Sequence, residues 1–164
     1  MRLGIGLGFT KGNGPFGIQQ MTNGDNEAAL MGTTFLGGAV TALDGVVARS
    51  TAQAAAGTAS AEFTANSATA TSHYVNFGLV PADKAVRITG KIYLPTGSFD
   101  QIKVLDSSDG SIDVQIANAV RDTWVDFSVN RAAKGSAWPL VIGNNFLESK
   151  INEKFYLDSM SIRT

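Results

Sequence analysis

The chain has 164 residues, enough for a single domain with a sizeable buried core. Its net charge is −1, from 13 basic and 14 acidic residues, which argues against nucleic acid and anionic membranes as partners. The absence of cysteine excludes disulfides and thiolate metal sites. Charged residues make up only 16% of the chain, against roughly 25% in an average soluble domain, so we expect a covered surface and a homo-oligomer. A trimer is one candidate, but no heptad or repeat in the sequence establishes the number of copies.

The chain begins MRLGIGLGFTKGNGPFG, with six glycines in the first seventeen residues. In an extended strand the apolar side chains that alternate with glycine project to one side, and they are Leu3, Ile5, Leu7 and Phe9. We therefore predict a glycine-rich arm over residues 1–22, before a sandwich domain over residues 23–164. The arm would bind a partner along a sheet edge through these side chains and Phe16. The alternative is that the segment belongs to the protein's own sandwich.

Residues 23–72 are rich in alanine, threonine, serine and glycine. We interpret this region as strands of small residues, with Val46, Val47 and Phe63 pointing inward. A helical turn at Thr51 to Ala56 is also compatible with the composition. The conformation of residues 48–72 therefore stays open between strand, helix and loop.

The segment AVRITGKIYL predicts a half-buried strand, because apolar and polar residues alternate along it. Its inward residues are Val86, Ile88, Ile92 and Leu94. Pro95 and Gly97 then predict a turn, and Ile102 and Val104 continue inward. The sequence DSSDG predicts a hairpin turn, after which the inward residues are Ile112, Val114 and Ile116.

Three further strands follow in TWVDFSVN, WPLVIGN and KFYLDSMSIRT. In the first, the residues predicted to point inward are Val125, Phe127 and Val129. In the last, Phe155 and Leu157 are out of phase with Met160 and Ile162 by one residue. A bulge at Asp158–Ser159 would bring all four into the core. Strands at this spacing without intervening helices predict an all-β fold, an antiparallel jelly-roll β-sandwich with an N-terminal glycine-rich arm.

The order VRITGKIYLPTG, TWVDFSVN, a short apolar strand and FYLDSMSI resembles the β-sandwich of carbohydrate-binding modules over about residues 74–164. Members of that group often have a tryptophan opening a late strand and an aromatic-Tyr-Leu/Ile-Asp terminal strand. The opening LGIGLGFTKGNG is similar to the glycine-alternating starts of tailed-phage structural proteins. In the sandwiches that the chain resembles, an acid in the last strand often belongs to a structural calcium site. This would implicate Asp158, but its partner ligands cannot be matched.

Three aromatic residues are candidates for stacking on a sugar. Tyr93 and Trp124 point away from the predicted core face, and Trp138 follows a loop. A glycan would pack the apolar face of a pyranose against such rings. The alternative is that the tryptophans cover the edges of the core or fill an interface.

No catalytic or cofactor-binding constellation is visible. His73 is the only histidine, and without an activated serine or further ligands we expect a structural role at a strand edge. Asp106, Asp109 and Asp113 surround one predicted turn, but their spacing is not that of a calcium loop, and we interpret them as solvated turn residues. We therefore predict a protein that is not an enzyme and needs no cofactor.

The leading hypothesis is a structural protein of a phage virion, such as a capsid decoration protein anchored or assembled through its arm. Its partner would be the major capsid protein or another virion protein. It would be made in the host cytoplasm and reside on the particle surface. One alternative is a carbohydrate-binding module that recognises surface glycans. Another is a small polysaccharide-degrading enzyme domain, which the missing catalytic constellation disfavours.

Overall fold

A computed structural model describes residues 16–67, 72–99, 101–106, 112–116, 120–144 and 151–164 of the chain. The described part is built from antiparallel β-strands, and none of its residues forms a helix long and apolar enough to cross a membrane. The strands are β1 (Met21–Thr22), β2 (Gly32–Thr33), β3 (Gly38–Ala39), β4 (Thr41–Leu43), β5 (Gly45–Ser50), β6 (Ser60–Ala65), β7 (His73–Val80), β8 (Val86–Tyr93), β9 (Ile102–Asp106), β10 (Ile112–Ile116), β11 (Trp124–Arg131), β12 (Trp138–Asn144) and β13 (Lys154–Arg163).

Two five-stranded sheets pack as a sandwich, and a small three-stranded sheet β1-β2-β3 adjoins them. We call the sheet β11-β8-β13-β6-β5 the front sheet and the sheet β10-β9-β12-β7-β4 the rear sheet. Apart from the hairpins β5–β6 and β9–β10, each connection from β4 onward crosses from one sheet to the other. This alternation confirms the predicted jelly roll.

The predicted alternation of β8 and β11 is confirmed. Val86, Ile88 and Ile92 are buried, whereas the polar residues between them face outward. On β11, Phe127 and Val129 are buried and Val125 packs partly against the core. Because adjacent side chains of a strand face opposite sides, these strands bury one face and expose the other.

A bulge interrupts the pairing of β13 with β8. Asp158 lies opposite Lys91 and Ser161 lies opposite Thr89, so β13 has one extra residue in this interval. Ser159 occupies the left-handed region with φ 51°. The shift buries Met160 together with Phe155, Leu157 and Ile162, as the sequence pattern predicted.

The alanine-rich region forms two strands, β5 and β6, joined by a loop over residues 51–59 instead of a helical turn. Phe63 is fully buried and Val47 packs partly against the core, as predicted. The inward placement of Val46 is wrong, because its side chain is 55% exposed. Neighbouring residues on one strand cannot both face the core without a bulge.

The end of the predicted arm pairs with the protein's own last strand. Ile18 and Thr164 exchange backbone hydrogen bonds of 3.1 and 3.0 Å, and Gln20 N donates to Ile162 O at 2.7 Å. Met21 joins the core and Phe16 is half-buried. The other residues predicted to bind a partner lie outside the described residues, and they are Leu3, Ile5, Leu7 and Phe9.

Candidate binding site on the front sheet

Four side chains lie in register across the outer face of the front sheet. Trp124 on β11 lies opposite Tyr93 on β8, and Tyr93 lies opposite Tyr156 on β13. Tyr156 in turn lies opposite Glu62 on β6. We call Trp124, Tyr93, Tyr156 and Glu62 the ring row. Because neighbouring strands are about 4.8 Å apart, the ring row crosses the sheet over roughly 14 Å.

The three rings of the ring row contact one another in sequence. The centroids of Trp124 and Tyr93 are 5.6 Å apart with an angle of 51° between the planes. Those of Tyr93 and Tyr156 are 5.8 Å apart and nearly perpendicular, at 78°. Trp124 and Tyr93 are half-buried, whereas Tyr156 is 6% exposed. The rings therefore fix one another's orientation, and Trp124 and Tyr93 keep accessible surface.

Hydrogen bonds hold Glu62 in its charged form. Lys154 Nζ donates to Glu62 Oε1 at 2.7 Å and Ser50 Oγ donates to Oε2 at 2.9 Å. Burial acts to raise the pKa of Glu62, but these hydrogen bonds outweigh it, so its pKa is lowered. Burial and the nearby negative charge of Glu62 raise the pKa of Tyr156 to about 12. At neutral pH the row thus ends in a carboxylate beside an un-ionised phenol.

Asp122 fixes the turn beside Tyr93. Its carboxylate accepts hydrogen bonds from Thr96 Oγ1 at 2.5 Å and from Thr96 N at 2.9 Å. These bonds lower the pKa of Asp122. The hydroxyl of Tyr93 donates to the same carboxylate at 3.5 Å. Gly97, with φ 80°, supplies the positive φ of the predicted turn.

Loops flank the ring row on both sides. The turn 95–98 and residues 151–153 line a cleft of about 450 Å³ that reaches Tyr156. Toward the other end of β13, Asp158 Oδ2 accepts from the backbone N–H groups of Ala55 at 2.7 Å and Ala56 at 3.0 Å. These bonds anchor loop 51–59 at Asp158, two residues along β13 from Tyr156. The turn 95–98 and loop 51–59 therefore flank the ring row on opposite sides, and we call the space between them the groove.

The structure brings two of the three predicted sugar-binding residues together, Tyr93 and Trp124. The prediction for Trp138 is wrong, because its side chain is fully buried in the core. The guanidinium carbon of Arg131 lies 4.7 Å from the centroid of the Trp138 ring. Because Trp138 is fully buried, it has no free face for a sugar.

The structure describes the surroundings of two further residues considered in the sequence, Asp158 and His73. Asp158 is fully buried and accepts backbone hydrogen bonds. The side chains of Asp106, Asp109 and Asp113 lie outside the described residues. Among the residues that are described, no group of three or more His, Cys, Asp or Glu could hold a metal ion. His73 is buried in an interior strand instead of at an edge, with Nε2 3.1 Å from Ser67 O.

Two members of the ring row were not predicted. Tyr156 stands between Phe155 and Leu157, whose shared inward face already implied that Tyr156 points outward. Which residues lie beside it depends on strand pairing, which a single sequence does not provide. Glu62 lies in the alanine-rich region, whose composition is compatible with strand, helix and loop. Glu62 is the only acid in residues 48–72, and this could have indicated that it points outward from a strand.

Neither a protein-family model nor a curated protein sequence matches the chain. Its fold is similar to that of several solved structures. One is the arabinose-bound α-L-arabinofuranosidase MgGH51, with 13% identity, 93% of this chain and 27% of that chain covered, and a TM-score of 0.60. A second contains the CBM22-1–GH10 modules of Clostridium thermocellum xylanase 10B complexed with xylohexaose, with 13% identity, coverage of 89% and 28%, and a TM-score of 0.55.

A third similar structure is the C-terminal family 22 carbohydrate-binding module of the same xylanase, with 13% identity and a TM-score of 0.51. Here 92% of this chain and 93% of that chain are covered. The chain thus spans about a quarter of the length of the first two proteins and nearly all of the isolated module. These similarities show that it has the β-sandwich fold found among carbohydrate-binding modules.

Proposed function

We propose that the protein is a carbohydrate-binding module that holds a polysaccharide in the groove of the front sheet. The observation that carries this proposal is the ring row, in which aromatic rings and a carboxylate lie in register across neighbouring strands. Trp124 and Tyr93 offer apolar surface for the faces of pyranose units. Glu62, Lys154 and Asp122 offer hydrogen-bonding partners for hydroxyl groups at the margins.

The charge states of the groove favour binding without hydrolysis. A glycosidase needs one carboxylic acid with a raised pKa beside a second carboxylate. Hydrogen bonds lower the pKa of both Glu62 and Asp122, the two acids that contact the tyrosines of the ring row. Neither is then a proton donor near neutral pH. This supports a binding role over the polysaccharide-degrading alternative.

The similar structures suggest which polymers to test first. One is complexed with xylohexaose and another is bound to arabinose. Xylan and arabinan are therefore the first ligands to test for this chain, with other neutral polysaccharides as a wider panel. A groove that crosses the sheet over roughly 14 Å suits a segment of an extended polymer more than a single sugar.

Retardation in gels that contain soluble polysaccharide tests the proposal. Trp124→Ala and Tyr93→Ala should each weaken binding roughly tenfold, equivalent to about 1.4 kcal/mol, because each removes an accessible ring. The matched control is Leu79→Ala, which removes a large apolar side chain that is 59% exposed on the rear sheet. Failure of the wild-type protein to bind any polymer of the panel would contradict the proposal.

The virion hypothesis stays a prediction. It depends on the glycine-alternating arm, most of which lies outside the described residues. A carbohydrate-binding sandwich on a phage particle would combine both hypotheses, with the arm joining a virion protein or other copies of the chain. Detection of the protein in purified phage particles would support this location, and its absence from them would contradict it.

A further inference from the structure

We infer that the front sheet carries an oxyanion-binding site away from the ring row, formed by Arg87, Thr89, Ser161 and Arg163. Arg163 on β13 lies directly opposite Arg87 on β8, and Ser161 lies opposite Thr89. The four side chains line a pocket of about 130 Å³ on the outer face. Two arginines, a threonine and a serine therefore line one small cavity.

The pairing of Arg87 with Arg163 is unfavourable unless an anion lies between them. Like charges directly opposite on neighbouring strands destabilise a sheet. Within the described part of the chain, no carboxylate pairs with either guanidinium. By contrast, Lys91 on the same face pairs with Asp126 at 2.7 Å. An anionic ligand would supply the missing negative charge.

The hydroxyl oxygen of Ser161 accepts one hydrogen bond, so its proton is available to a ligand. Gln19 Nε2 donates a hydrogen bond to Ser161 Oγ at 2.9 Å, which leaves the hydroxyl proton of Ser161 for another acceptor. The adjacent guanidinium groups present planar pairs of N–H donors that match a carboxylate or a sulfate. All four groups can thus donate hydrogen bonds to a single oxyanion.

This inference rests on the proposed function for the source of the anion. Thr89 is four residues from Tyr93 on β8, so the pocket and the ring row are about 13 Å apart on one face. We infer that the oxyanion is carried by a part of the glycan that extends beyond the groove, either as the carboxylate of a uronic acid or as a sulfate ester. The protein would then distinguish acidic from neutral polymers by a local site, despite its net charge of −1.

Titration with small anions tests the oxyanion pocket independently of binding at the ring row. Sodium glucuronate and sodium sulfate are added separately at low ionic strength, and the backbone N–H signals of Thr89 and Ser161, which every variant keeps, are followed by NMR. We expect saturable shifts in the wild-type protein with one or both anions, and at least a tenfold weaker response in Arg87→Gln/Arg163→Gln. Lys84→Gln/Arg49→Gln removes the same charge elsewhere and should respond as the wild type does. No saturable shift with either anion would overturn the site.

Polymers identify the source of the anion. Binding of neutral xylan, glucuronoxylan and a sulfated galactan is compared for wild type, Arg87→Gln/Arg163→Gln and Trp124→Ala. The arginine variant should lose about tenfold in affinity for the uronate or the sulfated polymer and keep its affinity for neutral xylan. Equal affinities of wild type and arginine variant for all three would overturn the inference. If no polymer binds but the small anions do, the proposed function fails and the oxyanion pocket stands.

Discussion

Two aromatic clusters lie back to back on the front sheet, and they differ in chemistry. Inside, Phe155 stacks on Phe63 with a centroid distance of 4.8 Å, and Phe99 packs edge-on against Phe155 at 5.8 Å. Outside, the very next residue, Tyr156, contacts Tyr93 at 5.8 Å. The inner rings carry no polar atom and are fully buried. Tyr93 and Tyr156 each carry a hydroxyl group and lie beside the ionised carboxylates of Asp122 and Glu62.

The role of an aromatic residue in this fold depends on which face of the strand it occupies and on the residues it contacts. The two tryptophans make the same point. Both were candidates for sugar binding, yet Trp138 is fully buried in the core and Trp124 is half-buried on the outer face. Position on the sheet therefore separates rings that stabilise the fold from rings that can bind a ligand.

The largest expected difference between the clusters is in stability. Phe155→Ala removes a fully buried ring and should lower the free energy of unfolding by about 3–5 kcal/mol. Tyr93→Ala removes a half-buried outer ring and should cost about 1 kcal/mol or less. Urea unfolding followed by tryptophan fluorescence measures both. Equal losses of stability would show that Tyr93 belongs to the structural core as much as Phe155 does, which would contradict the distinction between the two clusters.

Alternation of polar and apolar residues was enough to predict the faces of β8, β11 and β13, including the bulge at Asp158–Ser159. It was enough because each of these strands has a core on one side and solvent on the other. Predicting the ring row requires knowledge of strand pairing as well, because the pairing of β13 with β6 joins Tyr156 to Glu62, 94 positions apart in the sequence. Trp138 is likewise buried by core residues from distant parts of the chain, and the pattern of its own strand does not reveal them.

The next difference is in alkaline stability. The ordinary pKa of tyrosine is 10.0, whereas that of Tyr156 in the folded protein is about 12. A raised pKa contributes stability that is present below pH 10 and is lost as the pH rises toward 12. Tyr156→Phe should therefore lose stability less steeply than the wild type over this range. Ultraviolet titration should show that the last of the three tyrosines to ionise disappears in the variant. An unchanged final transition would assign the raised pKa to another tyrosine.

The smallest expected effect is at the acidic end of the ring row. The pKa of Glu62 is lowered from its ordinary value of 4.5, so its stabilising contribution is present above pH 4.5 and is lost as the pH falls below it. Its partner Lys154 has a side chain that is 40% exposed, so we expect Glu62→Gln to cost only about 0.5–1 kcal/mol at pH 7. The variant should also show a shallower loss of stability below pH 4.5.

Asp83→Asn serves as the control for Glu62→Gln, since it changes the net charge equally at an exposed pair with Lys84. Denaturant unfolding from pH 3 to pH 7 compares the two variants with the wild type over the range in which carboxylates titrate. If Glu62→Gln and Asp83→Asn have the same pH dependence, Glu62 behaves as an ordinary surface acid. The ring row would then lack its fixed negative end, and only the rings would distinguish the outer cluster from the inner one.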